Sequence, residues 1–291
     1  MIGQIGKVTI LENINSNSID ERNNVTSLER VFKQGEEYRV YTFKSVGGKG
    51  YYGLGGGLFV EGTTAVKYET PSKAKLALLE QLRIQAEKDK ANEIFIPVKS
   101  LMQNPELPNG CEITSLTSVL NYHGYNVSKT VMSDDYLPKK PFTYKSGKRF
   151  GPDPYQYYVG NPRLHPGGWY SYPPPIVQAA NKYLGEQGSS IRAIDISGSS
   201  REQILNHVKN GTPVLIWNTL DLGPPKANSH WYLQDTGKYY KAITNVHVVV
   251  LNGTIGDKVH VMNPLVGQVT YNADAFFKSY TQVGKHAVVV Q

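Results

Sequence analysis

Leu107-Pro108-Asn109-Gly110-Cys111-Glu112-Ile113 contains the only cysteine in a chain of 291 residues. Beyond it Ile113, Leu116, Val119 and Leu120 recur at helical spacing, and Gly124 supplies a stop. Proline cannot sit inside a helix, so the helix begins between Pro108 and Glu112, with Asn109 as the candidate N-cap. Cys111 then falls in the first turn. The unpaired N–H groups and the positive end of the helix dipole there favour a thiolate, the form a nucleophilic cysteine needs. A small buried hydrophobe that happens to be cysteine fits the same position.

The chain length suits two domains, or one large domain with an appendage. Hydrophobic residues make up 40% and charged residues only 19%, with 20 Tyr and 28 Gly, which suits a β-rich protein working at a surface. No apolar run is long enough to cross a bilayer, and Met1–Lys7 has no signal-peptide hydrophobic region. That start fits a cytosolic protein, or an exported one whose signal peptide is missing from this sequence. One cysteine allows no intramolecular disulfide and assigns no compartment. The net charge of +7 is unevenly spread. Residues 1–70 hold eight basic and eight acidic side chains, whereas 96–291 hold eighteen and twelve. That surplus favours an anionic neighbour such as a teichoic-acid wall. No nucleic-acid-binding signature accompanies it, so nucleic acid is not an expected partner.

Residues 4–70 read as roughly five short strands in about 65 residues, the size of a small β-barrel. Gly47-Gly48-Lys49-Gly50 and Gly53-Leu54-Gly55-Gly56-Gly57 are turns. The run Gly50-Tyr51-Tyr52-Gly53-Leu54-Gly55-Gly56-Gly57-Leu58-Phe59-Val60 resembles the end of bacterial SH3-like domains. That resemblance implies a targeting module, residues 1–70, holding a cell-wall peptide or another surface ligand. Pro71–Ala91 is rich in helix formers, with Leu76, Leu79, Leu82 and Ile84 as an apolar stripe and Ser72 as a cap. Residues 71–93 therefore read as a linker helix that packs on the next domain, residues 94–291.

Ser133–Pro175 has little periodicity but many Tyr, Pro and Gly, as in a cleft wall or lid. Trp169 and Tyr170 within it, with Trp217 at the end of the buried strand Val214–Trp217, are assigned to a substrate groove. A plain surface loop with stacked aromatics would read the same way. Ser199/Ser200 followed by Glu202/Gln203 forms a capping box for a helix to Lys209.

Val246–Leu251 and Lys258–Met262 form a strong β-hairpin around the turn residues Asn252-Gly253 and Gly256-Asp257. A symmetric turn about residue 255 would set His247 opposite Asn263 on one face. His260 has the other parity and reads as structural. An imidazole to take the thiol proton and a neutral amide to orient it complete the set a thiol nucleophile needs. His286 is the competing base.

Gln103, Leu107–Glu112, Thr117–Tyr125, Gly160–Pro162, Pro174–Asn181, Gly211–Trp217, Val246–Leu251 and Val261–Leu265 together resemble the bacteriocin-leader-peptidase-like cysteine peptidases, papain-like proteins of Gram-positive bacteria. The resemblance spans residues 94–291. It implies an α+β, papain-like cysteine peptidase domain, a Cys-bearing helix packed on an antiparallel sheet, behind the N-terminal all-β SH3-like barrel. It also implies an exported protein, extracellular or cell-wall associated. In papain-like enzymes a Gln before the nucleophile and the Cys backbone N–H hold the oxyanion, which assigns Gln103. The catalytic set is then Cys111, His247, Asn263 and Gln103, with no metal or organic cofactor. The expected substrate is a peptide or peptidoglycan. The chain has no transporter segment and carries Asn263 where bacteriocin-leader peptidases commonly have Asp, so double-glycine leader cleavage is not expected. Acyl transfer by the same groups, or a non-catalytic wall- or peptide-binding surface protein, are the alternative functions.

Overall fold

The computed structural model describes residues 3–291, so Met1 and Ile2, where the leader reading begins, lie outside the described residues. The chain forms two compact units that divide at Lys88/Asp89. It is a mixed α and β protein with six α-helices among the described residues.

Among the described residues the first unit holds eight strands rather than five: β1 (Gly6–Ile10), β2 (Ile14–Ile19), β3 (Val25–Phe32), β4 (Glu37–Val40), β5 (Thr42–Val46), β6 (Lys49–Gly55), β7 (Leu58–Glu61) and β8 (Val66–Glu69). They form a three-stranded sheet, β4-β1-β8, and a five-stranded sheet, β3-β2-β7-β6-β5. Val8, Ile10, Phe32, Val40, Val60 and Val66 form the core between them. The first two glycine-rich stretches are hairpin turns, with Val46 pairing Lys49 and Gly55 pairing Leu58.

Helix α1 (Lys73–Ala91) starts after Ser72, whose Oγ accepts the Lys75 N–H at 3.3 Å. None of its residues is buried; of its apolar stripe Leu76, Leu82 and Ile84 are exposed and Leu79 is half-buried.

The second unit is built on a seven-stranded antiparallel sheet. Its strands are β9 (Ile94–Phe95), β14 (Ala193–Asp195), β15 (Val214–Thr219), β18 (Val246–Ile255), β19 (Lys258–Asn263), β20 (Gly267–Asn272) and β21 (Ala287–Val290). The order is β14-β21-β15-β18-β19-β20, with β9 added to β18. Near-continuous Val, Ile and Leu in β15, β18 and β21 reflect burial on both faces. Helix α2 (Cys111–Tyr122) packs on β18, fixed by the bond from Ser115 Oγ to Val248 O at 3.1 Å. The remaining helices are α3 (Lys129–Val131), α4 (Pro173–Glu186), α5 (Arg201–Lys209) and α6 (Ala273–Gln282). The capping box of α5 forms between Ser200 and Gln203.

The segment without periodicity carries a π-helical turn, Met132–Tyr136, and four short strands, β10 (Lys139–Lys140), β11 (Thr143–Lys145), β12 (Lys148–Gly151) and β13 (Tyr158–Val159). β11 and β12 join β16 (Ser229–Leu233) and β17 (Tyr239–Ala242) in a four-stranded sheet.

The β18–β19 hairpin differs from the symmetric expectation. Ile255 pairs Lys258 across a two-residue turn, Gly256-Asp257. Asn252-Gly253 is not a turn but the site of a bulge, because the register shifts between Leu251 and Gly253. Gly253 is required there: a Cβ would meet Ile94 O at 2.1 Å. Asn252 ties the bulge to the segment after β9, its Nδ2 donating to Ile96 O at 2.9 Å and its O accepting the Ile96 N–H at 2.7 Å.

Candidate active site

Cys111 is the first residue of α2 and Gly110 is the N-cap, with no side-chain cap bond. Asn109, expected as the cap, instead donates Nδ2–H to Leu164 O at 2.6 Å. The first intrahelical bond runs from Thr114 N–H to Gly110 O at 3.0 Å, so the Cys111 N–H stands outside the helical ladder. Gly124, in the left-handed region at φ +91°, follows the end of the helix.

The sulfur is buried, and this departs from the expectation of a helix-favoured thiolate. Burial pushes the Cys111 thiol well above its usual pKa, the Glu112 carboxyl adds to the push, and the Val248 and Glu112 backbone N–H groups pull the other way. Low dielectric around the sulfur outweighs the helix terminus.

His247 is buried, and burial lowers its pKa to about 4 against the opposing effect of its Asn263 hydrogen bond. Its Nε2 lies 2.9 Å from Asn263 Oδ1. The Asn263 amide is oriented by two further contacts: Oδ1 accepts the Leu265 N–H at 2.9 Å, and Nδ2 donates to Tyr271 Oη at 3.1 Å. An amide oxygen only accepts, so His247 Nε2 carries the proton and Nδ1 holds the lone pair. Cys111 and His247 line one cleft of about 420 Å³ together with Gln103, Trp169, Tyr170 and Leu265.

Gln103 Nε2 donates to Pro108 O at 2.7 Å, and its backbone N–H donates to Pro264 O at 2.8 Å. The loop bearing Gln103 is thus tied both to the turn before Cys111 and to the residue after Asn263. Lys129 holds the same loop: its largely buried ammonium donates to Met102 O and, at 3.0 Å, to Gln103 O, and pairs with Glu106 at 2.7 Å. The sequence reading missed Lys129 and Tyr271, which lie in no periodic pattern that would have singled them out. It also passed over Glu112, whose signal was available as the one charged residue of the helix, directly after the cysteine.

Trp169 and Tyr170 are cleft residues, with the Tyr170 hydroxyl 3.0 Å from that of Tyr240. Trp217 is not. Its side chain is fully buried and its indole N–H donates to Ser171 O at 2.8 Å, so its assignment to the groove is corrected to a core residue that supports the cleft wall. His286 is also set apart, its ring packed 4.4 Å from that of Tyr172 and its Nε2 3.3 Å from the Tyr155 hydroxyl. His260 Nε2 lies 2.8 Å from Glu93 Oε1, consistent with its opposite parity.

Residues 95–288 match the model of the Peptidase_C39 like family. The uncharacterized protein YvpB of Bacillus subtilis (strain 168) is 31% identical over 207 residues, covering 70% of this chain and 78% of YvpB. A crystal structure of a presumed C39-like peptidase from Bacillus anthracis superposes with a TM-score of 0.60 at 29% identity, covering 69% of this chain and 98% of that one. The chain belongs to the Peptidase C39-like family.

Proposed function

We propose that the second unit is a papain-like thiol peptidase that cleaves a peptide or amide bond with Cys111 as nucleophile. The observation that carries this reading is the 2.9 Å His247–Asn263 contact beside a cysteine that lines the same cleft. The resting pair is a neutral thiol and a neutral imidazole, since burial raises one pKa and lowers the other. His247 Nδ1 therefore acts as general base as the sulfur attacks, and the imidazolium then protonates the leaving amine. The Cys111 N–H and Gln103 Nε2–H serve the oxyanion. Trp169 and Tyr170 hold the substrate flanking the scissile bond. Water or a second amine completes the cycle, giving hydrolysis or acyl transfer.

We further propose that residues 1–70 are an SH3-like module that holds the protein at a bacterial cell wall outside the cell, with peptidoglycan or a wall peptide as ligand. The half-buried Tyr52 stacked on Tyr68 at 4.6 Å and the exposed Phe43 beside it, at 5.4 Å from Tyr52, support an aromatic binding face. The test is digestion of a peptide library and of purified peptidoglycan by wild type and Cys111→Ala. Cysteine-dependent release of fragments is expected. Equal product from both proteins would remove the peptidase reading in favour of a binding protein.

A further inference from the structure

Glu112 is fully buried beside the reacting sulfur. Its Oε1 accepts the Ser171 N–H at 3.0 Å, and its Oε2 lies 3.3 Å from Cys111 Sγ. No Lys or Arg is among the groups that act on it. The titratable groups facing it are Cys111 on α2 and Tyr158 on β13, whose phenol is itself pushed up by burial and by Glu112. His247 on β18 stands next to Val248, whose N–H addresses the same sulfur. A carboxylate with so few donors and no cation is poorly solvated, so the site favours the acid. Burial raises its pKa to about 7, against the pull of its own and the Ser171 N–H groups. With Oε1 occupied as an acceptor, the acid's proton belongs on Oε2, the oxygen at the sulfur.

We propose that Glu112 in its carboxylic-acid form is a further catalytic residue, whose Oε2–H donates a hydrogen bond to the Cys111 thiolate, while its ionised form opposes that thiolate. The proposal rests on the reading of Cys111 as nucleophile. The thiol proton passes to His247 Nδ1, and the Glu112 proton stays on Oε2 throughout. The sulfur–carbon bond forms as the carbonyl π pair moves to oxygen. A purely structural clamp on Ser171 would need only the Oε1 acceptor. Glu112→Gln separates the two roles, because glutamine keeps the acceptor and a donor but cannot ionise.

The experiment is the pH dependence of Cys111 alkylation by iodoacetamide in the full chain, read by mass spectrometry, which requires no substrate. Glu112→Gln should lower the thiol's apparent pKa by about one unit or more, making alkylation at alkaline pH roughly tenfold faster than in wild type. The gap should narrow in acid, where wild-type Glu112 is protonated. Coincident curves, or a higher thiol pKa in the variant, would overturn the proposal. If Glu112→Gln does not fold, infrared titration of wild type decides: a protonated-carboxyl band should persist in mild acid and vanish through neutrality. Absence of that band would refute the assignment. The shift in a chain that cuts no peptide would leave Glu112's effect standing and sink the peptidase reading. An active peptidase whose curve Glu112→Gln leaves in place would do the reverse.

Discussion

His247 and Asn263 meet diagonally across the β18–β19 hairpin, 2.9 Å apart although neither is the other's direct partner. The ladder near them pairs Val250 with Met262 and Leu251 with Val261, so Val249 is the residue that continues opposite Asn263. The tight turn alone would set a register one residue different, placing Asn263 on the other face of the sheet. The extra residue at the Asn252 bulge restores the parity.

Asn263→Ala should damage catalysis less than Cys111→Ala or His247→Ala, because Asn263 holds the ring and handles no proton. Loss of the base is expected to lower kcat by about 10²–10⁴-fold. Asn263→Asp should retain activity, since a carboxylate accepts the same Nε2–H and the Leu265 N–H. Steady-state kinetics of the four proteins on one peptide substrate would check the order, and an Asn263→Ala as inactive as Cys111→Ala would reject the orienting role.

The resting thiol should be slow to alkylate at neutral pH, slower than a free model thiol, because burial disfavours the thiolate. This reverses what the first-turn position alone implies. Denaturation in urea should release ordinary reactivity. A fast native reaction with a low apparent pKa would show that the helix terminus outweighs burial after all.

Stability should carry two opposed pH dependences. His247 has its folded pKa lowered to about 4, so the unfolded chain binds more protons between about 4 and 6.5, and stability is lost as pH falls through that window. Glu112 has its folded pKa raised to about 7, so the folded chain keeps a proton the unfolded one releases, and stability is lost as pH rises from about 4.5 through 7. Glu112→Gln should therefore leave a net rise of stability with pH across the mildly acidic range. Urea midpoints measured at several pH values would show the change of slope, and an unchanged slope would contradict the buried carboxyl's titration.

Lys129→Met should loosen the Gln103 loop, leaving the Met102 and Gln103 carbonyls and Glu106 without their cation. A cost of about 1–3 kcal/mol is expected in denaturant melts, the range for stranded buried acceptors. Gln103→Ala, by contrast, should lower kcat by about 10²–10³-fold if Gln103 serves the oxyanion. A Lys129→Met protein with wild-type midpoint and kinetics would remove the loop-holding role.

Much of this arrangement was legible from short-range chemistry. Pro108, the apolar spacing after Cys111 and Gly124 delimit α2, and the β-rich runs around 250 and 260 give the hairpin. What escaped depends on tertiary contacts. Asn109 loses its cap role to a bond with Leu164 O, 55 residues away. The bulge arises because β9 docks against Gly253, which no local pattern announces. Trp217 shows the limit from the other side, since an aromatic does not declare whether it will be covered.

The placement of β21 bears on when the sheet can be completed. Ala287–Val290 comes late in the sequence yet lies inside the sheet, between β14 and β15. A chain still being synthesised has a gap at that position, with the edges of β14 and β15 open. The loop of Gln103 likewise waits for Pro264 before it has its backbone partner. Cys111 is therefore made well before the strands that complete the sheet and before the backbone partner of the Gln103 loop. The order of strands thus makes the middle of the sheet one of the last parts of the fold that can be completed.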